Sequence, residues 1–196
     1  MLKAVLEPPI KGATGMTRII LTYGLISGLV IITGIMASMF LSGGQHPHSN
    51  LWLGYLIMLV ALSAILVGVK QHRDQALGGV IKFRTALLLG LGIAIMATLA
   101  YVAVWEGYLA ATHYTFMDQY TAQILAAKRA AGVTGAAYAK AVAEADGMRR
   151  IYANPLTRML ETSAEIFPVG LLVAVVSAAL LRNPRFLPAR ARPAAA

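Results

Sequence analysis

Apolar positions gather into four long runs, over residues 19–41, 51–69, 85–109 and 156–181, with two shorter amphipathic stretches between the third and the fourth. The first three runs hold a single charged residue between them, Glu106, and show no strand alternation. At about 1.5 Å per residue, each run is long enough to cross the roughly 30 Å hydrocarbon core of a bilayer. The pattern therefore predicts four membrane-spanning helices. The third ends in Tyr101, Trp105, Glu106 and Tyr108, and aromatic side chains of this kind mark a membrane surface. The fourth is entered through Asn154-Pro155, an N-cap and first-turn proline. Pro168 in its interior removes the hydrogen bond to the Ala164 carbonyl, which predicts a kink.

Residues 113–153 change character, being Ala-rich and charged. Phe116, Met117, Tyr120 and Ile124 share one helical face, and Tyr138, Val142, Ala145, Met148 and Tyr152 share another. Gly132-Val-Thr-Gly135 supplies a turn, and Asp146 to Arg150 has the spacing of an i,i+4 ion pair. Two helices packed as an extramembrane hairpin are expected here, in preference to helices lying flat on the membrane. The fold class is all-α: an integral membrane four-helix protein with an amphipathic hairpin between spans three and four.

Outside a membrane domain of residues 18–182, residues 1–17 read as a disordered polar tail, with Met16 as a second candidate start, and residues 183–196 as a basic disordered tail. The first run is too long for a signal-peptide core and lacks a small-residue cleavage site, so it reads as a retained anchor. Lys70 to Arg84 reads as a basic loop. His46-Pro47-His48, with His113 and Asp118, could offer metal ligands, but no spacing is diagnostic and the segment reads as a solvated turn. Gly24-x-x-x-Gly28, Ala61, Ala64 and Gly68, and Gly170, Ala174 and Ala178 are small residues that permit close helix approach; packing within the bundle is preferred over dimerisation for the first.

Composition supports the membrane reading: 58% of residues are apolar and 13% charged, with a mean hydropathy of +0.68. The absence of Cys excludes a disulfide framework, a thiolate metal site and a cysteine nucleophile. The formal charge is +9, and alternating spans place 11 of the 17 Lys and Arg residues on the side of the termini, against Glu7 and Asp74 alone. The positive-inside rule then puts both termini in the cytoplasm and the hairpin on the far side of the inner membrane. Anionic lipid headgroups suit the basic face, at about 1 kcal/mol per nearby cation, and nucleic acid is not required.

Counting along the helices sets Glu165 a few Å inside the outer hydrocarbon edge, level with Tyr101 and near Tyr55, with Glu161 one turn away and Glu106 higher. A carboxylate at that depth needs a donor or a proton, so Glu165 is expected to accept a hydrogen bond from Tyr101 or Trp105. The alternative is a proton or cation relay through Glu161, Glu165 and Glu106 in a small transporter. Their place at the rim, away from the midplane, argues against it. No Ser/His/Asp order, phosphate-cradling Gly loop or metalloprotease motif is present, so neither an enzyme nor a cofactor is expected.

Leu21-Thr-Tyr-Gly-Leu-Ile-Ser-Gly, Leu53-Gly-Tyr-Leu, Arg73-Asp with Leu77-Gly-Gly-Val-Ile-Lys-Phe, Tyr101-Val-Ala-Val-Trp-Glu, Phe116-Met-Asp-Gln-Tyr, Tyr152-Ala-Asn-Pro-Leu and Glu165-Ile-Phe-Pro-Val-Gly-Leu follow in order. Together they resemble the bacterial membrane family catalogued as domain of unknown function 4199. The resemblance implies a four-span bacterial inner-membrane protein and carries no catalytic residue. The function expected is that of a structural or accessory protein with a membrane-protein partner still to be identified.

Overall fold

The computed structural model describes residues 13–41 and 51–189. Among them the helices are α1 (Ala13–Leu41), α2 (Leu51–Leu62), α3 (Ala64–Ala76), α4 (Phe83–Ala111), α5 (Phe116–Ala130), α6 (Gly135–Ala153) and α7 (Pro155–Leu181). The α2 and α3 segments form one span, since the Ser63 carbonyl accepts from Leu66 N at 3.0 Å and the Ser63 amide donates to Leu59 O at 2.9 Å. Four helices are thus long and apolar enough to cross a membrane, and the all-α architecture with its hairpin between the last two spans stands.

The bundle is built around α4. Half of its most apolar window is buried, against 28–33% in the other three spans. The α1 and α7 helices flank α4, and the α2–α3 span closes the square by touching both of them. Small residues set these contacts. A Cβ on Gly24 would lie 2.5 Å from Met96 Cβ, and one on Gly28 only 2.6 Å from the Ala97 carbonyl, so the Gly-x-x-x-Gly stripe is spent on α4 within the chain. Opposite it, a Cβ on Gly170 would lie 2.9 Å from Ala94 Cβ, and one on Gly90 3.0 Å from Ala174 Cβ. Each step of four residues down α4 meets a step of four up α7, which fixes an antiparallel register. The α7 helix continues through Pro168 without a break, with Pro168 and Ala164 both on its exposed side.

Three boundaries differ from the sequence reading. Residues 13–17, expected in the tail, form the first turn of α1. The second span does not end at 69, because α3 carries on to Ala76. Loss of apolarity is not loss of helix there, since a helix can leave the hydrocarbon without unwinding. Lys70 pairs with Asp74 and Gln71 with Gln75 at i,i+4, and the chain turns only at Gly78 and Gly79, whose φ values are +66° and +94°.

The third difference lies at the C-terminus, where residues 183–189 are docked rather than disordered. Arg73, fully buried, donates from Nη1 to Phe186 O at 2.9 Å and from Nη2 to Leu187 O, while its Nε bonds Asp74 Oδ1 at 2.7 Å. Residues 1–12, 42–50 and 190–196, with His46 and His48, lie outside the described residues. Arg73→Met deletes both donors. Hydrogen bonds to a charged group are worth about 1.5–3 kcal/mol each, so with both lost trypsin is expected to cut after Arg185 about a hundredfold faster or more in the variant, as read by mass spectrometry of the fragments. An unchanged cleavage rate would show that Arg73 does not hold the segment.

Candidate functional site

The polar groups at the end of the bundle away from the termini are organised by helix register. Continuing the Gly90–Ala174 and Ala94–Gly170 pairing by steps of four brings Glu106 opposite Arg158. Asn154 caps α7, its side chain accepting from Leu156 N at 2.9 Å, so Arg158 falls in the first turns of the helix.

Its guanidinium engages Glu106 through two parallel bonds, Nε to Oε1 and Nη2 to Oε2, each 2.7 Å, and Nη1 donates to Tyr152 O at 2.7 Å. The Tyr114 ring lies 4.8 Å beneath it. Arg158 is only 4% exposed. One side chain therefore ties α4, the C-terminal end of α6 and α7 together. Bidentate arginine–carboxylate pairs combine strength with fixed geometry.

An aromatic cluster caps this clamp. Trp105 stacks on Tyr108 with centroids 5.4 Å apart and meets Phe116 edge-on at 4.9 Å, and Phe116 contacts the rings of Tyr120 at 6.0 Å and Tyr152 at 6.4 Å. The hairpin itself closes through buried Thr121, Ala141 and Ala145. Arg149 bridges Asp118 at 3.2 Å and Asp146 at 3.0 Å. The expected Asp146–Arg150 pair is not formed, because Arg149 is the residue turned toward α5 while Arg150 is exposed. Burial pushes the Tyr152 phenol above its ordinary value; the Trp105 indole and Thr162 hydroxyl oppose that shift and the Glu165 charge adds to it. Below the hairpin is a cavity of about 610 Å³ lined by Tyr114, Met117, Asp118, Arg149, Tyr152 and Arg158 among others.

The residues expected to form one cluster are only partly brought together. Tyr101 and Trp105 are buried at 3% and 5% exposure, and Glu106 is engaged as above. In the α4–α7 register Glu165 lies level with Leu99, within one turn of Tyr101 and so at the expected depth. It nevertheless sits on the exposed side of α7, as does Glu161. Glu165 is within electrostatic reach of Tyr101 and Tyr152 but makes no hydrogen bond with Tyr101, Trp105 or Tyr152; the buried Trp105 indole N–H is directed to the Tyr152 phenol instead, without closing to full hydrogen-bond geometry. The expected Glu165 lock is replaced by the Glu106–Arg158 clamp. Tyr55, exposed on α2, stands apart.

Arg158 is one of the six Lys and Arg residues that alternating spans leave on the far side, and the local sequence pattern alone gives it no partner. Its signal was available: one arginine early in a span, facing the single carboxylate of the neighbouring span when the two helices are counted antiparallel. His113 and Asp118 belong to no group of three His, Cys, Asp or Glu able to hold a metal among the described residues. The chemistry of the site is mechanical, since the buried Arg73 and Arg158 are both consumed in contacts that fasten one element to another.

No curated protein and no solved structure matches the chain. The model of a family described as "Protein of unknown function (DUF4199)" matches residues 22–183, from within α1 to just past the end of α7, and the chain belongs to that family.

Proposed function

We propose that this chain is a non-catalytic accessory protein of a bacterial inner membrane that holds a membrane-protein partner through its α5–α6 hairpin, with both termini in the cytoplasm. The observation that carries the reading is the Glu106–Arg158–Tyr152 clamp. It fixes a charged, exposed hairpin to two spans and engages both oxygens of Glu106 with Arg158. A relay would need a carboxylate at the midplane; Glu106, Glu161 and Glu165 all belong to the end near the hairpin. The orientation rests on the charge bias toward the side of the termini, and anionic lipid is the partner proposed for that face.

Because the chain has no native cysteine, Ala130→Cys reports on one site. Labelling from outside the cytoplasmic membrane and a discrete, stoichiometric crosslink from that position in mild detergent are the expected results. Labelling from the cytosol overturns the orientation. Acid-dependent flux in liposomes that Glu165→Gln abolishes, with no stoichiometric companion, overturns the accessory reading in favour of transport.

A further inference from the structure

Between the N-terminal part of α1 and the C-terminal part of α3, at the basic end of the bundle, lies a second cavity of about 340 Å³. Arg18, Thr22 and Tyr23 line it from α1, and Gln71, His72 and Gln75 from α3. Its polar groups are oriented. The Tyr23 hydroxyl donates to Gln71 Oε1 at 2.7 Å, and Gln71 Nε2 donates to Gln75 Oε1 at 3.2 Å. A chain running in that direction ends on the Gln75 amide nitrogen, which is left as a donor.

His72 is the second observation. It is 4% exposed, lines the cavity and makes no hydrogen bond to another described residue. Its ring nitrogens are not among the sealed, unpartnered atoms of the described fold, so they open to the cavity and can take a partner from outside. Arg18 is exposed and forms no ion pair among the described residues. The described carboxylate of this end, Asp74, is held by Lys70 and Arg73 on another face of α3. The cavity thus gathers a cation and several donors with no acid among its lining residues.

What lies beneath the cavity identifies the occupant. Leu21 and Leu25 share the face of Arg18 at i, i+3 and i+7, and both are exposed, at 44% and 41%. A polar donor array at the headgroup level therefore continues into an apolar track along α1.

We propose that this cavity is a discrete phospholipid site, in which Arg18, His72 and Gln75 hold the phosphate of an anionic headgroup and an acyl chain lies along Leu21 and Leu25. It deepens the anionic-lipid reading of the basic face and rests on it, replacing a diffuse attraction with one built pocket.

The test uses the full chain reconstituted in nanodiscs of equimolar phosphatidylcholine and phosphatidylglycerol, released and examined by native mass spectrometry. Wild-type protein is expected to retain phosphatidylglycerol in preference to phosphatidylcholine. Arg18→Gln/Gln75→Ala, which changes two exposed positions, is expected to lose that occupancy about tenfold at unchanged melting temperature, the equivalent of one charge-assisted hydrogen bond. Lys82→Gln/Arg84→Gln at the same end is expected to keep it. Unchanged occupancy in the first variant, or an equal fall in both, overturns the pocket and leaves the diffuse reading standing. No preference in wild type overturns both. Stabilisation of detergent-purified protein by inorganic phosphate, with no phosphatidylglycerol retained, assigns the donors to a free anion and overturns the lipid.

Discussion

Arg158→Met is expected to lower the melting temperature of the detergent-purified protein by about 10 °C, and Glu106→Met/Arg158→Met to recover most of the loss. Removing one member of a buried ion pair costs about 3–5 kcal/mol, because the surviving charge is left desolvated. For a chain of this size each kcal/mol moves the transition by about 2–4 °C. The bidentate geometry and the 5% and 15% exposure of the two side chains place this pair in the buried class. The double variant removes both charges together, so the large term disappears. Its recovery is incomplete, since Tyr152 O also loses its donor. Thermal melts of the two single variants and the double variant form the cycle. Additive losses, or a single-variant shift below about 2 °C, would show that the pair contributes no more than a surface salt bridge.

The same variant has a second readout. The clamp reaches Tyr152 at the C-terminal end of α6, so its loss should increase exchange of α6 backbone amides before it affects those of α4. Protection against exchange follows local opening, and α6 touches the membrane bundle chiefly through α7. The proposed partner-holding role requires the hairpin to be fastened at this point.

Why the clamp escaped sequence reasoning while the bundle did not is a question of range. Four spans, an amphipathic hairpin and a capped α7 each follow from composition and period within about 25 contiguous residues, where the chain reports on itself. The hairpin stripe read from Phe116, Met117, Tyr120 and Ile124 is the half-buried side of α5. The depth of Glu165 also follows, since depth needs only the rise per residue. Its rotation does not, because that is set by which small residues touch which neighbour. The α4–α7 register becomes available only when Gly90 is seen against Ala174 and Ala94 against Gly170, and Glu106–Arg158 is its consequence. Arg73 is harder still, its partners being two backbone carbonyls that no side-chain pattern advertises.

Gly28→Val is expected to abolish folded protein, and Gly28→Ala to cost about 1–3 kcal/mol, the range of an overpacked core. The added Cβ would meet the Ala97 carbonyl at 2.6 Å and Ala100 Cβ at 2.8 Å. The first of these is backbone in the middle of α4 and has no rotamer to change, so α1 must back away along its whole length. Van der Waals packing is what associates helices in lipid, with no hydrophobic term to compensate. Gly107 is the control: it is also in α4, but a Cβ there meets nothing within 4 Å, so Gly107→Ala should stabilise by about 0.5–1 kcal/mol through helix propensity alone. Fluorescence-detected size exclusion and melting curves separate the outcomes. A Gly28→Ala protein as stable as Gly107→Ala would mean that α1 does not pack on α4 through this stripe. A Gly28→Ala protein of unchanged stability that falls from dimer to monomer would return the stripe to an interface between copies.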